Sequence, residues 1–217
     1  MANIVRILVV SCALTACAAW ADPVRDMVVA AQIDNPVQIK KLLAKGWSPN
    51  TVDPITGESI LMIALREGAD AVAEELIADK GLKLEQTAPN GNTALMMAAF
   101  KRNKRAVLAL LGRGAVLTRP GWTALHYAAA SGDAEITAIL LERHAYIDAE
   151  SPSQLTPLMI AAREGHGEVA EVLMREGADA RLKNNESLTA SQIATRAGHD
   201  RIASVIDKHI AALPPRP

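Results

Sequence analysis

One eight-residue phrase recurs five times along this chain with small variations, and it constrains the fold more than any other feature. Its clearest copies place a glycine two residues before a serine or threonine, which is followed by small and large apolar residues. The serine or threonine anchors are separated by 34, 30, 33 and 33 residues. Self-similarity at this period predicts a solenoid, whose modules bury their apolar faces only against neighbouring modules. The copies are 57–64, 91–98, 121–128, 154–161 and 187–194, with anchors Ser59, Thr93, Thr123, Thr156 and Thr189.

About six units of this length fill the chain after residue 21. Each unit is expected to pair a short helix, which follows the anchor, with a second helix that carries two adjacent large apolar residues, as at Leu110 and Leu111. In the third unit the alanines and leucine of 94–99 recur at helical spacing on one face, so we predict an all-α fold. The predicted segments are 22–50 for a degenerate first unit, 51–84, 85–117, 118–148 and 149–181 for units 2 to 5, 182–212 for a capping last unit, and 213–217 for a proline-rich tail.

The ends of the second helices carry a second recurring signal. Gly46, Gly114 and Gly177 stand where the chain must leave the helix in a left-handed conformation, which glycine adopts without strain. His144 replaces that glycine in unit 4, at a modest local cost. The 30-residue interval arises because the connection at 117–121 is three residues shorter than its counterparts.

The first 21 residues have the pattern of a secretory signal peptide. Arg6 precedes an apolar run over 7–19, and the run ends in the small-residue pattern of Ala19 and Ala21. A membrane-spanning helix needs about 20 apolar residues, so this run is too short to be one. We therefore expect cleavage after Ala21 and an exported, soluble chain that starts at Asp22.

A second interpretation of the leader stays open. The run 14–17, ending at Cys17, resembles a bacterial lipobox, whose cysteine becomes the lipidated first residue. That processing would anchor the chain to the outer membrane. Both cysteines, Cys12 and Cys17, lie in the leader, so the chain cleaved after Ala21 could form no disulfide.

Composition and motifs exclude several function classes. The formal net charge of −1 does not indicate a surface that binds nucleic acid or a membrane. No nucleophile elbow or zinc-protease motif occurs, and Gly112 and Gly114 lack the third glycine of a dinucleotide site. His166 and His199 stand 33 residues apart, and helices packed about 8–10 Å apart would hold them too far from one shared zinc ion. We therefore expect no catalysis, cofactor or metal.

One dense basic run stands at 101–105. We expect it in the turn between the two helices of unit 3. A solvated charge cluster is the plain interpretation, and contact with an acidic protein or with lipopolysaccharide is the alternative.

The repeated phrase, the turn Gly165–Val169 and the sequence Gly177–Asp179 resemble the ankyrin repeat over residues 24 to about 210. The resemblance implies paired antiparallel helices with projecting β-turn fingers in a curved stack, and a hydrogen-bonding structural role for His126. It also implies a protein-binding scaffold without catalytic residues. The chain resembles small exported ankyrin proteins of Gram-negative bacteria, some of which are associated with catalase and oxidative-stress defence.

The same resemblance suggests a binding surface on the concave side. Residues just before each anchor should point there from the base of the fingers, and residues near the end of each first helix should lie beside them. The aromatic residues cluster in two adjacent units, so we predict a hot spot centred on Trp122 and flanked by Phe100 and Arg163. The predicted protein-binding residues are Trp122, Phe100, Tyr127, Arg163, Leu155, Leu188, Arg66, Lys101 and Arg196.

Together these features predict a monomeric adaptor of the bacterial periplasm that binds another protein and no nucleic acid. It would contact a membrane only if Cys17 is lipidated. Two alternatives remain: a structural envelope protein tethered through Cys17, and an inhibitor or immunity protein of a periplasmic enzyme.

Overall fold

The computed structural model describes residues 22–214, and within that range every regular element is an α-helix. The predicted signal peptide, with its predicted cleavage residues Ala19 and Ala21 and the candidate lipidation site Cys17, lies outside the described residues, as do the last three residues of the tail. The all-α prediction is confirmed. The helices are α1 (Pro23–Gln32), α2 (Pro36–Ala44), α3 (Ile60–Glu67), α4 (Asp70–Ala78), α5 (Ala94–Phe100), α6 (Lys104–Gly112), α7 (Ala124–Ser131), α8 (Ala134–Glu142), α9 (Pro157–Glu164), α10 (Gly167–Arg175), α11 (Ala190–Arg196) and α12 (Asp200–Ala212).

The five anchors are the residues at which the first helices of units 2 to 6 begin. The side chain of Ser59 accepts a hydrogen bond from the backbone N–H of Met62. The side chains of Thr93, Thr156 and Thr189 likewise accept from the backbone N–H of the residue three positions later. Such a cap satisfies one of the N–H groups that has no partner inside the helix. The repeated phrase is therefore a repeated helix start.

The connections between phrases are β-turn fingers, as the resemblance implies. The backbone N–H groups of Gly91, Gln154 and Ser187 each donate a hydrogen bond to the carbonyl oxygen three residues earlier, at 2.8–2.9 Å. Isolated antiparallel bridges join Val52 to Ser59 and Thr87 to Thr93. These turns place the residues before each anchor at the base of a finger.

The predicted left-handed residues after the second helices are confirmed. Gly46, Gly114 and Gly177 have φ angles of 91°, 89° and 98°, and His144 takes the same region at 68°. A different glycine has a packing role as well. Gly132 follows α7, and a Cβ atom there would lie 2.5 Å from the ring of His166 in the next unit.

Two parallel rows of helices build the stack. The first helices α1, α3, α5, α7, α9 and α11 pack in order, and each also packs against the second helix of its own unit. Their shared core is continuous from Met27 to Ile206. Units 3 and 4, which the short connection joins, pack most closely through α5 and α7, whereas α6 and α8 make little direct contact.

The last unit differs from the inner units at one core position. In unit 6 Ser191 stands where the inner units have a leucine, and it is buried, with its hydroxyl donating to the carbonyl of Ala203 at 3.4 Å. No helix within residues 22–214 combines the length and apolar character needed to cross a membrane.

Candidate functional site

The candidate site is the finger-base surface, which we define as the residues just before the anchors together with those near the ends of the first helices. Each anchor has extended backbone angles, as at Thr93 with φ −98° and ψ 167°. In extended backbone successive side chains point to opposite sides. The anchor side chain caps its helix, so the preceding side chain points away from it. The preceding residues Glu58, Asn92, Trp122, Leu155 and Leu188 are all half-buried.

Three aromatic residues of units 3 and 4 form one cluster on this surface. The ring of Tyr127 lies 6.0 Å from that of Phe100 at 85°, an edge-to-face contact, and 5.8 Å from that of Trp122. The hydroxyl of Tyr127 donates to the side-chain oxygen of Asn92 at 2.7 Å. Phe100 is 46% exposed, although it ends a helix that is otherwise largely buried.

The buried imidazole of His126 packs against this cluster through Trp122. Its Nδ1 accepts from the backbone N–H of Thr123 at 3.2 Å, so the ring proton lies on Nε2, which donates to the carbonyl of Leu155 at 2.9 Å. Burial lowers the pKa of His126 below its usual value, although hydrogen bonds to backbone carbonyls oppose the shift. The ring of Trp122 packs on the imidazole at a centroid distance of 5.3 Å. His126 therefore links the finger of unit 5, through the carbonyl of Leu155, to Trp122 of the aromatic cluster.

Units 5 and 6 form the second part of the surface. Leu155 and Leu188 line a hollow of about 450 Å³ whose rim includes Arg163 and Arg196. The Nε of Arg163 donates to Glu164 at 2.8 Å within the same helix turn. This hollow groups four of the predicted residues, and Arg163 belongs to it and not to the aromatic cluster.

The remaining predicted cations differ from each other. Arg66 pairs with Glu58 at 3.2 Å and with Glu67 at 3.3 Å, and its buried Nε finds no hydrogen-bond partner among the described residues. Lys101 directly follows α5, is exposed, and has no ion pair within residues 22–214. Arg66 is therefore held by two ion pairs, whereas Lys101 is not.

The basic run at 101–105 begins in the predicted turn between α5 and α6, but its last two residues, Lys104 and Arg105, start α6. The run links neighbouring units. Arg102 donates to the carbonyl of Ser131, and Lys104 pairs with Glu135, both in unit 4. Arg105 pairs with Glu74 in unit 2. The sequence did not show these pairs, because their members lie about one repeat apart.

Other polar groups give no sign of a metal site. No group of three or more histidine, cysteine, aspartate or glutamate side chains among residues 22–214 could hold a metal ion. The rings of His166 and His199 instead lie against Gly132 and Gly165 of the preceding units.

Comparisons with known proteins agree with this architecture. A sequence profile described as "Ankyrin repeats (3 copies)" matches residues 27–120, 61–151 and 115–184, so the chain belongs to the ankyrin repeat family. Ankyrin repeats mediate binding to other proteins. The finger-base surface is therefore a candidate protein-binding site.

Individual relatives extend the comparison. The human SH3 and multiple ankyrin repeat domains protein 2 is 35% identical over 114 residues, which is 51% of this chain and 6% of that protein. The mouse protein fem-1 homolog A-like is 36% identical over 87 residues, or 39% of this chain and 13% of that protein. The chain thus spans a small part of either relative. The crystal structure of the ankyrin repeat domain of Bcl-3, a member of the IkappaB family, superposes with a TM-score of 0.70 at 25% identity, covering 84% of this chain and 81% of that one.

Proposed function

We propose that this chain is a non-catalytic scaffold that binds another protein through the finger-base surface and acts in the bacterial periplasm. The observation that carries the proposal is the cluster of Phe100, Trp122 and Tyr127 at the point where units 3 and 4 pack most closely. Trp122 and Tyr127 are half-buried and Phe100 is exposed, so the cluster presents apolar area to the outside.

The cluster has the physical properties of an interface hot spot. Tryptophan and tyrosine dominate interface energetics, because they bury a large area and have few rotatable bonds. Here the Tyr127 hydroxyl is bonded to Asn92, and Trp122 rests on His126, which is itself fixed at both nitrogens. Side chains that are ordered before binding lose little entropy on binding.

A crosslinking pull-down from periplasm tests this function. Phe100→Ala is the variant of choice, because the side chain is exposed and its removal leaves the core intact. Leu108→Ala is the matched control, since Leu108 is 38% exposed on α6, in the row of second helices. We expect Phe100→Ala to lower recovery of the crosslinked partner about tenfold or more, as for a hot-spot residue. Loss of recovery with Leu108→Ala alone would place binding on the other face.

The cellular location rests on the leader sequence. Intact-mass analysis of the chain purified after export should give a mature protein that begins at Asp22 and carries no acyl group. A diacylglyceryl mass on Cys17 would support the second candidate, a tethered envelope protein. Membrane fractionation of the wild type against Cys17→Ala distinguishes the two.

The resemblance to exported ankyrin proteins suggests a partner class, namely an envelope or oxidative-stress enzyme. Identification of the crosslinked partner tests that class directly. If the partner is an enzyme, its turnover with and without the purified chain separates a supporting scaffold from an inhibitor.

A further inference from the structure

Side chains in the loops after the second helices join neighbouring units, with one exception. At the corresponding place of the loops after α2, α4 and α8, the side chains of Asn50, Glu85 and Asp148 accept a hydrogen bond from a backbone N–H of the next such loop, at 2.6, 2.8 and 3.1 Å. After α10 the guanidinium of Arg181 donates to a backbone carbonyl beyond α12 at 3.1 Å. The loop after α6 has Thr118 at this place, and its side chain makes no hydrogen bond within residues 22–214. The loops after α6 and α8 are therefore not joined.

The row of second helices is interrupted at the same junction. Along this row α2 packs on α4, α4 on α6, α8 on α10 and α10 on α12, whereas α6 and α8 make little direct contact. The row of first helices continues through the junction, and α5 and α7 pack closely. Units 3 and 4 are thus in contact on the side of the first helices and separated on the side of the second helices.

The row of fingers is interrupted there as well. The ring of Pro89 covers Gly57 of the preceding finger, where an added Cβ atom would lie 2.5 Å from it, and Pro152 covers Gly121 at 3.9 Å. At Gly91, the corresponding glycine of unit 3, such an atom would meet nothing within 4 Å among the described residues. The finger of unit 4, whose connection is three residues shorter, does not reach it.

The polar contacts that do cross this junction lie near the ends of the first helices. Arg102 donates to the carbonyl of Ser131, and the hydroxyl of Ser131 donates to the carbonyl of Ala99 at 3.3 Å. Lys104 pairs with Glu135 where the second helices begin. These contacts and the packing of α5 on α7 form one line, and beyond that line no loop bond or packed second helix opposes bending.

We propose that the junction between units 3 and 4 is a hinge. Units 1 to 3 and units 4 to 6 form two rigid blocks that bend relative to each other about α5 and α7. In a solenoid each unit is held only by its neighbours, so a junction that lacks the loop bond, the second-helix packing and the finger contact bends more easily than the others. Bending changes the width of the gap between α6 and α8 and leaves the core of the first helices packed.

The aromatic cluster lies across this hinge. Phe100 belongs to one block, and Trp122 and Tyr127 belong to the other. A partner that contacts Phe100 and Trp122 together would hold the hinge at one angle, because it binds one arrangement of the two blocks better than the rest. The hinge is a property of the chain alone and does not depend on the proposed function.

Pulsed electron–electron double resonance between pairs of spin labels tests the hinge. The labels are attached to cysteines introduced at one repeated position on the outer face of the second helices. Leu108 with Glu171 spans the hinge, whereas Lys40 with Leu108 and Ala138 with Ser204 each lie within one block. All three pairs are two units apart, so their helix axes are separated by similar distances of about 16–20 Å.

We expect the distance distribution of Leu108 with Glu171 to be about twice as wide as that of either control pair, since hinge bending moves whole blocks. The pair Lys40 and Leu108 shares the label at Leu108, so mobility of that label alone would broaden both distributions. Lys40 gives up an exposed ion pair with Glu75, which contributes little. Circular dichroism and intact mass verify that each variant is folded and doubly labelled.

Equal widths for the three pairs would refute the hinge, and so would a control distribution as wide as the spanning one. The measurement contains no partner, so either result leaves the proposed binding function standing.

Discussion

Leu125→Ala is the sharpest test of the packing described for the inner units. Leu125 is 1% exposed on α7, which lies between α5 and α9. The substitution removes about three methylene equivalents, worth about 2.4 kcal/mol at ~0.8 kcal/mol each. Because packed helices flank the site on both sides, the gap cannot collapse fully, and a cavity term adds about 1 kcal/mol. We expect a loss of about 3–4 kcal/mol in the free energy of unfolding.

Urea unfolding followed by circular dichroism measures this loss. A chain of this size should also lose about 2–4 °C in unfolding temperature for each kcal/mol. The control is Leu108→Ala, the same chemical change at a side chain that is 38% exposed on α6, which should cost less than about 1 kcal/mol. The slope against urea must stay constant, since a changed slope would indicate that the stack no longer unfolds in one step. If both variants lose equal stability, the assignment of Leu125 to the core is wrong.

Three further predictions concern the last unit, acid sensitivity and the fingers. Ser191→Leu should change the free energy of unfolding by less than about 1 kcal/mol. A hollow of about 550 Å³ beside this residue leaves room for the larger side chain, and the added apolar contact offsets the loss of one long hydrogen bond to Ala203. Burial lowers the pKa of His126, so the unfolded chain takes up the proton first and stability should fall as the pH drops below about 6.5. His126→Gln, which copies the residue at the same position of the last unit, should flatten that dependence in chemical unfolding at pH 5 to 7. Gly57→Ala should lower the unfolding temperature more than Gly91→Ala, because both residues have φ above 70° but only at Gly57 would the new Cβ meet a neighbour, at 2.5 Å.

The fold could be predicted because its determinants are local. An anchor such as Thr93 both caps a helix and sets the extended residue before it, and these two effects act within four residues of sequence. A glycine after the second helix likewise acts locally, because its left-handed conformation ends the helix and turns the chain. Because the units repeat in register, the position of His144 alone predicts its left-handed backbone, and its φ of 68° agrees.

The candidate site could be predicted only in part, because its distinctions depend on contacts between distant residues. Arg66 and Arg163 occupy the same position of their units and look alike in sequence. The structure holds Arg66 against Glu58 of its own finger and leaves Arg163 with only a neighbour in the same turn. Glu58 can be recognised in the sequence as the residue before an anchor. Its pairing with Arg66, however, depends on how the finger places it beside the end of α3.

The irregularity of the repeat and the aromatic cluster lie at the same junction, between units 3 and 4. The connection at 117–121 is the shortest, and the two first helices that it separates, α5 and α7, pack most closely, while α6 and α8 make little direct contact. At this junction Phe100 of unit 3 lies within edge-to-face distance of Tyr127 of unit 4, and the Tyr127 hydroxyl reaches Asn92. The first helices α9 and α11 also pack extensively although their connection has the ordinary length, so stacking of the first helices does not require the short connection. What distinguishes units 3 and 4 is that aromatic residues occupy these stacked positions on both sides of the junction.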